Sequence, residues 1–280
     1  MNALISAKQL HALDPKDVLT VDCRSDISDA GAGSRAYAKA HIPGAVYAEL
    51  NRDLSDLSKQ GVGRHPLPDA SAFSRVLSAL GWTPQTQIVA YDDAGGALAA
   101  SRLWWMIRLV GGTAAVLDGG IKAWSAAGFE LTDAVTERTP SQVDVTFDAS
   151  QIVMTDELQR LRGSDRTLLL DARAAPRYRG ETESIDPVAG HVPGARNRPF
   201  SENLDTSGMF KPAAELRAAF EAKLDGHGPR DVVHMCGSGV TACHNLLAME
   251  HAGLAGSRIY APSWSGWIAD GKRDVAVGAE

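Results

Sequence analysis

Cys236 is the residue best placed to do chemistry. It follows a short apolar run, Val232, Val233, His234 and Met235, and opens the turn Gly237-Ser238-Gly239-Val240-Thr241. A helical pattern with Leu246, Leu247 and Met249 comes next. Strand, tight turn and helix together aim backbone N–H groups at one point. A thiol at that point is expected to ionise readily, favoured by the helix dipole and by a nest of amides, and to act as a nucleophile. The competing reading is an inert cysteine buried at a strand end, the common fate of free Cys. Gly237 and Gly239 weigh against it, because a loop built for close backbone approach usually holds something. Cys243, among Ala242, Leu246 and Leu247, reads as packed rather than as a resolving thiol.

The chain has 280 residues, 44% hydrophobic and 22% charged, with a net charge of −6. This suits a globular protein of one large or two ordinary domains. It argues against a broad basic surface for nucleic acid. No apolar run reaches the ~18 residues of a membrane span, and residues 1–10 lack the apolar core of a signal peptide. Three cysteines (Cys23, Cys236, Cys243) cannot form a disulfide framework. We therefore expect a cytoplasmic protein.

The elements that must carry this turn follow from periodicity. Helices are expected over residues 6–13 with Ser6 as N-cap, 34–40, 71–80, 97–110 and 121–127. Strands are expected over 18–21 with Asp22, 87–91 and 115–117. Residues 50–68, polar with Gly61, Gly63, Pro66 and Pro68, read as a long surface loop. Strands alternating with helices predict an α/β architecture, each sheet mostly parallel with helices on both faces.

The pattern then repeats. Leu168-Leu169-Leu170-Asp171 echoes Leu19-Thr20-Val21-Asp22, and His191-Val192-Pro193-Gly194-Ala195 echoes His41-Ile42-Pro43-Gly44-Ala45. Residues 232–235 echo 88–91, and residues 263–271 take the place of 119–128. A duplicated unit of domain size is implied, residues 1–130 and 153–280, joined by a linker over 131–152. Asp92 falls where Cys236 falls in the second copy, so the first copy is expected to lack the chemistry. His41 and His191 recur in both copies and read as turn-stabilising, and Asp22 and Asp171 as structural. Trp264 and Trp267 read as core residues or as the wall of a cleft.

These features resemble the tandem-domain sulfurtransferases of the rhodanese superfamily, across nearly the whole chain. The carriers are the HIPGA and HVPGA turns, Trp104-Trp105, Leu117-Asp118-Gly119-Gly120 with Trp124, the Trp264 and Trp267 pair, and above all Cys236-Gly237-Ser238-Gly239-Val240-Thr241. Gly-Ser after the cysteine is similar to the 3-mercaptopyruvate group. Thiosulfate sulfurtransferases usually carry Arg and Lys there, and a turn without charge favours a keto-acid thiol over the thiosulfate dianion.

The resemblance implies a two-step transfer. Cys236 takes sulfur from a small-molecule donor as a persulfide and passes it to a thiol, cyanide or thioredoxin-like acceptor, with no metal and no organic cofactor. It implies that Gly237, Gly239, Val240 and Thr241 cradle the sulfur and that Arg177 binds the donor carboxylate. It also implies a relay in which His65 and Ser238 are catalytic, although Asn51 stands where the relay's aspartate is expected. The group's second substrate arginine falls between residues 181 and 190, where this chain has none; Arg179, Arg196 and Arg198 are the nearest candidates in sequence.

Three other readings compete. Thiosulfate could be the preferred donor. The chain could be a persulfide carrier without turnover, serving a thiolation pathway. A cysteine phosphatase of the same fold needs an arginine at the end of its loop to bind phosphate, and Ala242 stands there.

Overall fold

The computed structural model describes residues 2–162, 164 and 166–279. Met1 and Glu280, the outer limits of the two expected domains, lie outside the described residues. The chain forms two compact units. The first comprises Met1–Asp56, Leu67–Asp148 and Thr206–Phe210; the second comprises Leu57–Pro66, Ala149–Asp205 and Lys211–Glu280.

The first unit is built on a parallel sheet of β1 (Leu4–Ile5), β2 (Val18–Asp22), β3 (Val46–Tyr47), β4 (Gln87–Tyr91) and β5 (Ala114–Leu117), in the order β1-β5-β4-β2-β3. The second has β6 (Ile152–Val153), β7 (Leu168–Asp171), β8 (Arg196–Asn197), β9 (Val232–Met235) and β10 (Arg258–Tyr260), in the order β6-β10-β9-β7-β8. The two orders are the same permutation, and all pairings are parallel. Central strands β2, β7 and β9 are buried along their whole length. This explains why they read as continuous apolar runs rather than as alternating ones.

Helices form where the apolar spacing places them, within one or two residues. Ser6 caps Ala7–His11 in a reciprocal capping box with Gln9. The helix Ala99–Leu109 is buried on nearly every face, which accounts for its Trp104 and Trp105. The two-residue strands β1, β3, β6 and β8 were not expected from the sequence, since two residues carry no period. Segment 50–68 is irregular, as its glycines and prolines require, and exposed at Leu57, Ser58, Gln60 and Gly61, but it is not a surface loop throughout. Leu54 is fully buried, its carbonyl accepting from Arg102 Nε at 3.0 Å.

Both copies fasten their Pro-Gly turns alike. His41 and Thr132 exchange backbone hydrogen bonds, as do His191 and Ala276. The His41 ring stacks on Tyr37 at 4.0 Å and the His191 ring on Tyr178 at 3.8 Å. In each case Nδ1 meets the carbonyl of that same tyrosine at 2.8 Å. Asp22 and Asp171, buried at strand ends, pair with Arg24 and Arg173 two residues on. Burying such pairs is tolerable because both partners are also hydrogen-bonded by backbone groups. Trp264 and Trp267 are fully buried in the core of the second unit.

Candidate active site

Cys236 leaves the C-terminal end of β9, where ligands gather in parallel α/β sheets. The residue is 2% exposed, but its surroundings are polar. Its N–H donates to Ser263 Oγ (3.1 Å), and its carbonyl accepts from Trp264 N–H (3.0 Å). The Gly237 carbonyl accepts from Ser265 N–H (2.9 Å). Two successive carbonyls are thus tied to the short helix Ser263–Trp267. Gly239, at φ +78°, donates its N–H to Cys236 Sγ at 3.2 Å. Positive φ is a conformation that glycine adopts without strain. The carbonyls of Val240 and Thr241 accept from Cys243 and His244 and open the helix Ala242–His251. Cys243 is buried, its Sγ on the Gly239 carbonyl at 3.4 Å.

The segment 57–66, remote in sequence, belongs to this same unit. It brings His65 to the loop, with Nδ1 and Ser238 Oγ 2.7 Å apart. Arg64 N–H donates to Ser265 Oγ at 2.9 Å. At Gly63 a Cβ would stand 2.6 Å from the Pro262 carbonyl, so only glycine lets the segment lie this close. Asn51 belongs to the first unit.

Arg177 lies beside the loop: a Cβ placed on Gly237 would stand 3.7 Å from its Nη1. Its Nε and Nη2 grip the Glu183 carboxylate at 2.8–3.2 Å, and Nη2 also reaches Asp186 at 3.1 Å. Burial works against the charge on Glu183, yet the Arg177 hydrogen bonds and two backbone amides hold its carboxyl below the ordinary range. Burial lifts the Asp186 carboxyl, against the opposing pull of Arg64 and Arg177. Arg179, Arg196 and Arg198 pair with Glu181, Asp225 and Glu202.

Sequence reasoning missed Ser263, Arg64, Glu183 and Asp186. A signal existed for Ser263: it stands where the first copy has the glycines of its Asp118-Gly119-Gly120 turn. In that copy Gly120 has φ +58°, and Ile121 N–H donates to the Asp92 carbonyl (3.1 Å), as Trp264 does to Cys236. Ser263 keeps the left-handed conformation, φ +52°, without being glycine, and adds a hydroxyl for the Cys236 amide. The other three gave no signal, because polar loop residues have no period.

At the matched place in the first unit, the Asp92 carboxylate accepts from the N–H groups of Ala94 (2.9 Å), Gly96 (2.7 Å) and Leu98 (3.1 Å). Its own charge fills the nest, and burial raises its carboxyl above the ordinary value despite those donors. A cavity of about 480 Å³ in this unit, lined by Leu10, His11, Trp124 and Phe129 among others, contains none of the candidate residues. Among the described residues no cluster of His, Cys, Asp and Glu could hold a metal ion. No helix among them is long and apolar enough to cross a membrane.

A duplicated parallel sheet with a cysteine loop in one copy defines a class. The family model for the rhodanese-like domain matches residues 6–127 and again 154–270, and the chain belongs to that family. Across 279 residues it is 47% identical to a Pseudomonas aeruginosa protein named "Probable 3-mercaptopyruvate sulfurtransferase", covering 98% of each chain. It is 34% identical over 240 residues to the thiosulfate sulfurtransferase of Bos taurus, covering 84% of this chain and 79% of that one. Among solved structures, the 3-mercaptopyruvate sulfurtransferase from Leishmania major superposes with a TM-score of 0.86 at 29% identity, over 95% of this chain and 74% of that one.

Proposed function

We propose that this protein is a sulfurtransferase that takes sulfur from 3-mercaptopyruvate onto Cys236 and hands it to a thiol, cyanide or protein acceptor. The observation that carries this reading is the cysteine loop itself: an amide on the sulfur, its carbonyls tied back, and the Ser238–His65 pair beside it. In the first step the Cys236 thiolate attacks the donor sulfur. The new S–S bond forms as the donor's C–S bond breaks, and the electron pair of that bond passes to carbon, giving the enolate of pyruvate. A proton delivered through Ser238 and His65 turns the enolate into pyruvate. In the second step an acceptor thiolate attacks the outer sulfur and regenerates the Cys236 thiolate. Splitting the transfer in two is covalent catalysis. The Gly239 amide stabilises negative sulfur at both stages.

Arg177 holds the donor carboxylate, and Gly237 leaves room for it above the loop. The first unit, with Asp92 in its loop, takes no sulfur. A cytoplasmic location agrees with an odd count of three cysteines, which cannot form a disulfide framework. A second reading, thiosulfate as donor, draws on the bovine relative. One experiment decides: steady-state pyruvate release with 3-mercaptopyruvate, beside turnover with thiosulfate, and intact mass after each. Many turnovers with 3-mercaptopyruvate and a gain of one sulfur atom on Cys236 are expected. A single turnover would make the protein a carrier, and faster reaction with thiosulfate would replace the donor.

A further inference from the structure

Arg64 lies outside every expectation drawn from the sequence, yet it converges on the same atoms as Arg177. A Cβ placed on Gly237 would stand 3.0 Å from Arg64 Nη2 and 3.7 Å from Arg177 Nη1. Both nitrogens are free of hydrogen bonds to described residues; the Arg64 Nε is also without a partner. Behind the two guanidiniums lies one carboxylate. Asp186 Oδ1 accepts from Arg64 Nη1 and Oδ2 from Arg177 Nη2.

Exposure divides the cluster. The side chains of Asp186 and Glu183 are 2% and 3% exposed, whereas those of Arg64 and Arg177 are 30% and 20% exposed. The carboxylates are buried supports, and the guanidiniums present their outer nitrogens over the loop. With Arg173 and Asp171, three guanidiniums face three carboxylates, so the cluster is formally neutral. A neutral cluster with two outward donors suits directional binding of a planar monoanion better than capture of a dianion by net charge. The Arg64 backbone is fixed by Ser265 and by the close approach of Gly63 to Pro262, which lowers the entropy lost when an anion docks.

We propose that Arg64 and Arg177 together receive the donor's carboxylate, one guanidinium nitrogen from each, with Asp186 positioning both. This rests on the reading of the protein as a keto-acid sulfurtransferase. In Arg64→Ala the KM for 3-mercaptopyruvate should rise about tenfold or more, the worth of a hydrogen bond to a charged group, with kcat changed less. Competitive inhibition by pyruvate, a carboxylate without sulfur, should weaken in parallel. Arg64→Lys should fall between, keeping the charge and losing the planar fork. Because both arginines serve one carboxylate, the Arg64→Ala/Arg177→Ala double variant should lose less than the product of the single effects. At saturating donor the single variant should still gain one sulfur on Cys236, which separates lost binding from a collapsed loop. A KM and pyruvate inhibition within about twofold of wild type would overturn the proposal while wild-type turnover stands. A fall in kcat at unchanged KM would overturn it too. Failure of the wild type to release pyruvate would overturn the underlying reading and this proposal with it.

Discussion

The roles proposed for Cys236, Ser238 and His65 are separable by kinetics. Replacing Cys236 with Ser should abolish sulfur uptake, and intact mass should show none anywhere on the chain. Ser238→Ala removes the hydroxyl facing His65 and should lower kcat about 10²-fold or more, the usual worth of a positioned proton donor, with a smaller change in KM. Comparable kcat in that variant would remove the pair from the proton path. Arg177→Ala should act chiefly on KM for 3-mercaptopyruvate. An unchanged KM would leave Arg177 as a partner of Glu183 alone. Residues like Cys236 were legible because the glycine turn announces them. His65 was legible only through resemblance to a family. Arg64 and Asp186 were not legible, since what brings them to the loop is the path of an irregular segment, which no local pattern encodes.

The loop and the Ser263–Trp267 helix form one device. Ser263 holds a backbone conformation that costs a non-glycine residue roughly 1–3 kcal/mol. Its hydroxyl, on the Cys236 amide and the Tyr260 carbonyl, offsets that cost. Ser263→Ala keeps the strain and orphans a buried amide, so stability should fall by about 1–3 kcal/mol; denaturant melts would reveal it, and an unchanged midpoint would refute it.

His234, on β9, is fully buried with Nε2 on Ser257 Oγ at 3.2 Å. Burial, aided by the nearby Arg198 charge, pushes it down to about 3. The unfolded chain takes that proton near pH ~6.5 and the folded one does not, so stability falls as pH drops from there toward 3. In His234→Leu the loss of Tm between about pH 6.5 and pH 4 should be smaller than in wild type; equal slopes would assign the acid sensitivity to other groups. Central strands and the long helices of the first unit were readable because burial imposes a period or a continuous run; the Ala213–Leu224 helix, buried only at Leu216, Phe220 and Leu224, was not. The two-residue edge strands were not, since they are defined by their neighbours' hydrogen bonds.

The whole molecule is one plan executed twice, with identical strand order and different loop chemistry. The repeat was visible in four matched features, and the asymmetry of Asp92 and Cys236 with it. The contrast predicts that kcat/KM for 3-mercaptopyruvate exceeds that for thiosulfate by at least about tenfold, since the loop itself carries no cation. Parity in a competition assay would reverse the ranking.

The path of the chain between the units has a consequence for anyone who dissects the gene. Residues 57–66 lie in the first half of the reading frame yet are counted with the second unit, and 206–210 make the reverse trade. A polypeptide started after the linker would inherit Cys236 but neither His65 nor Arg64. Silence from such a truncation would report a severed message, not a faulty cysteine.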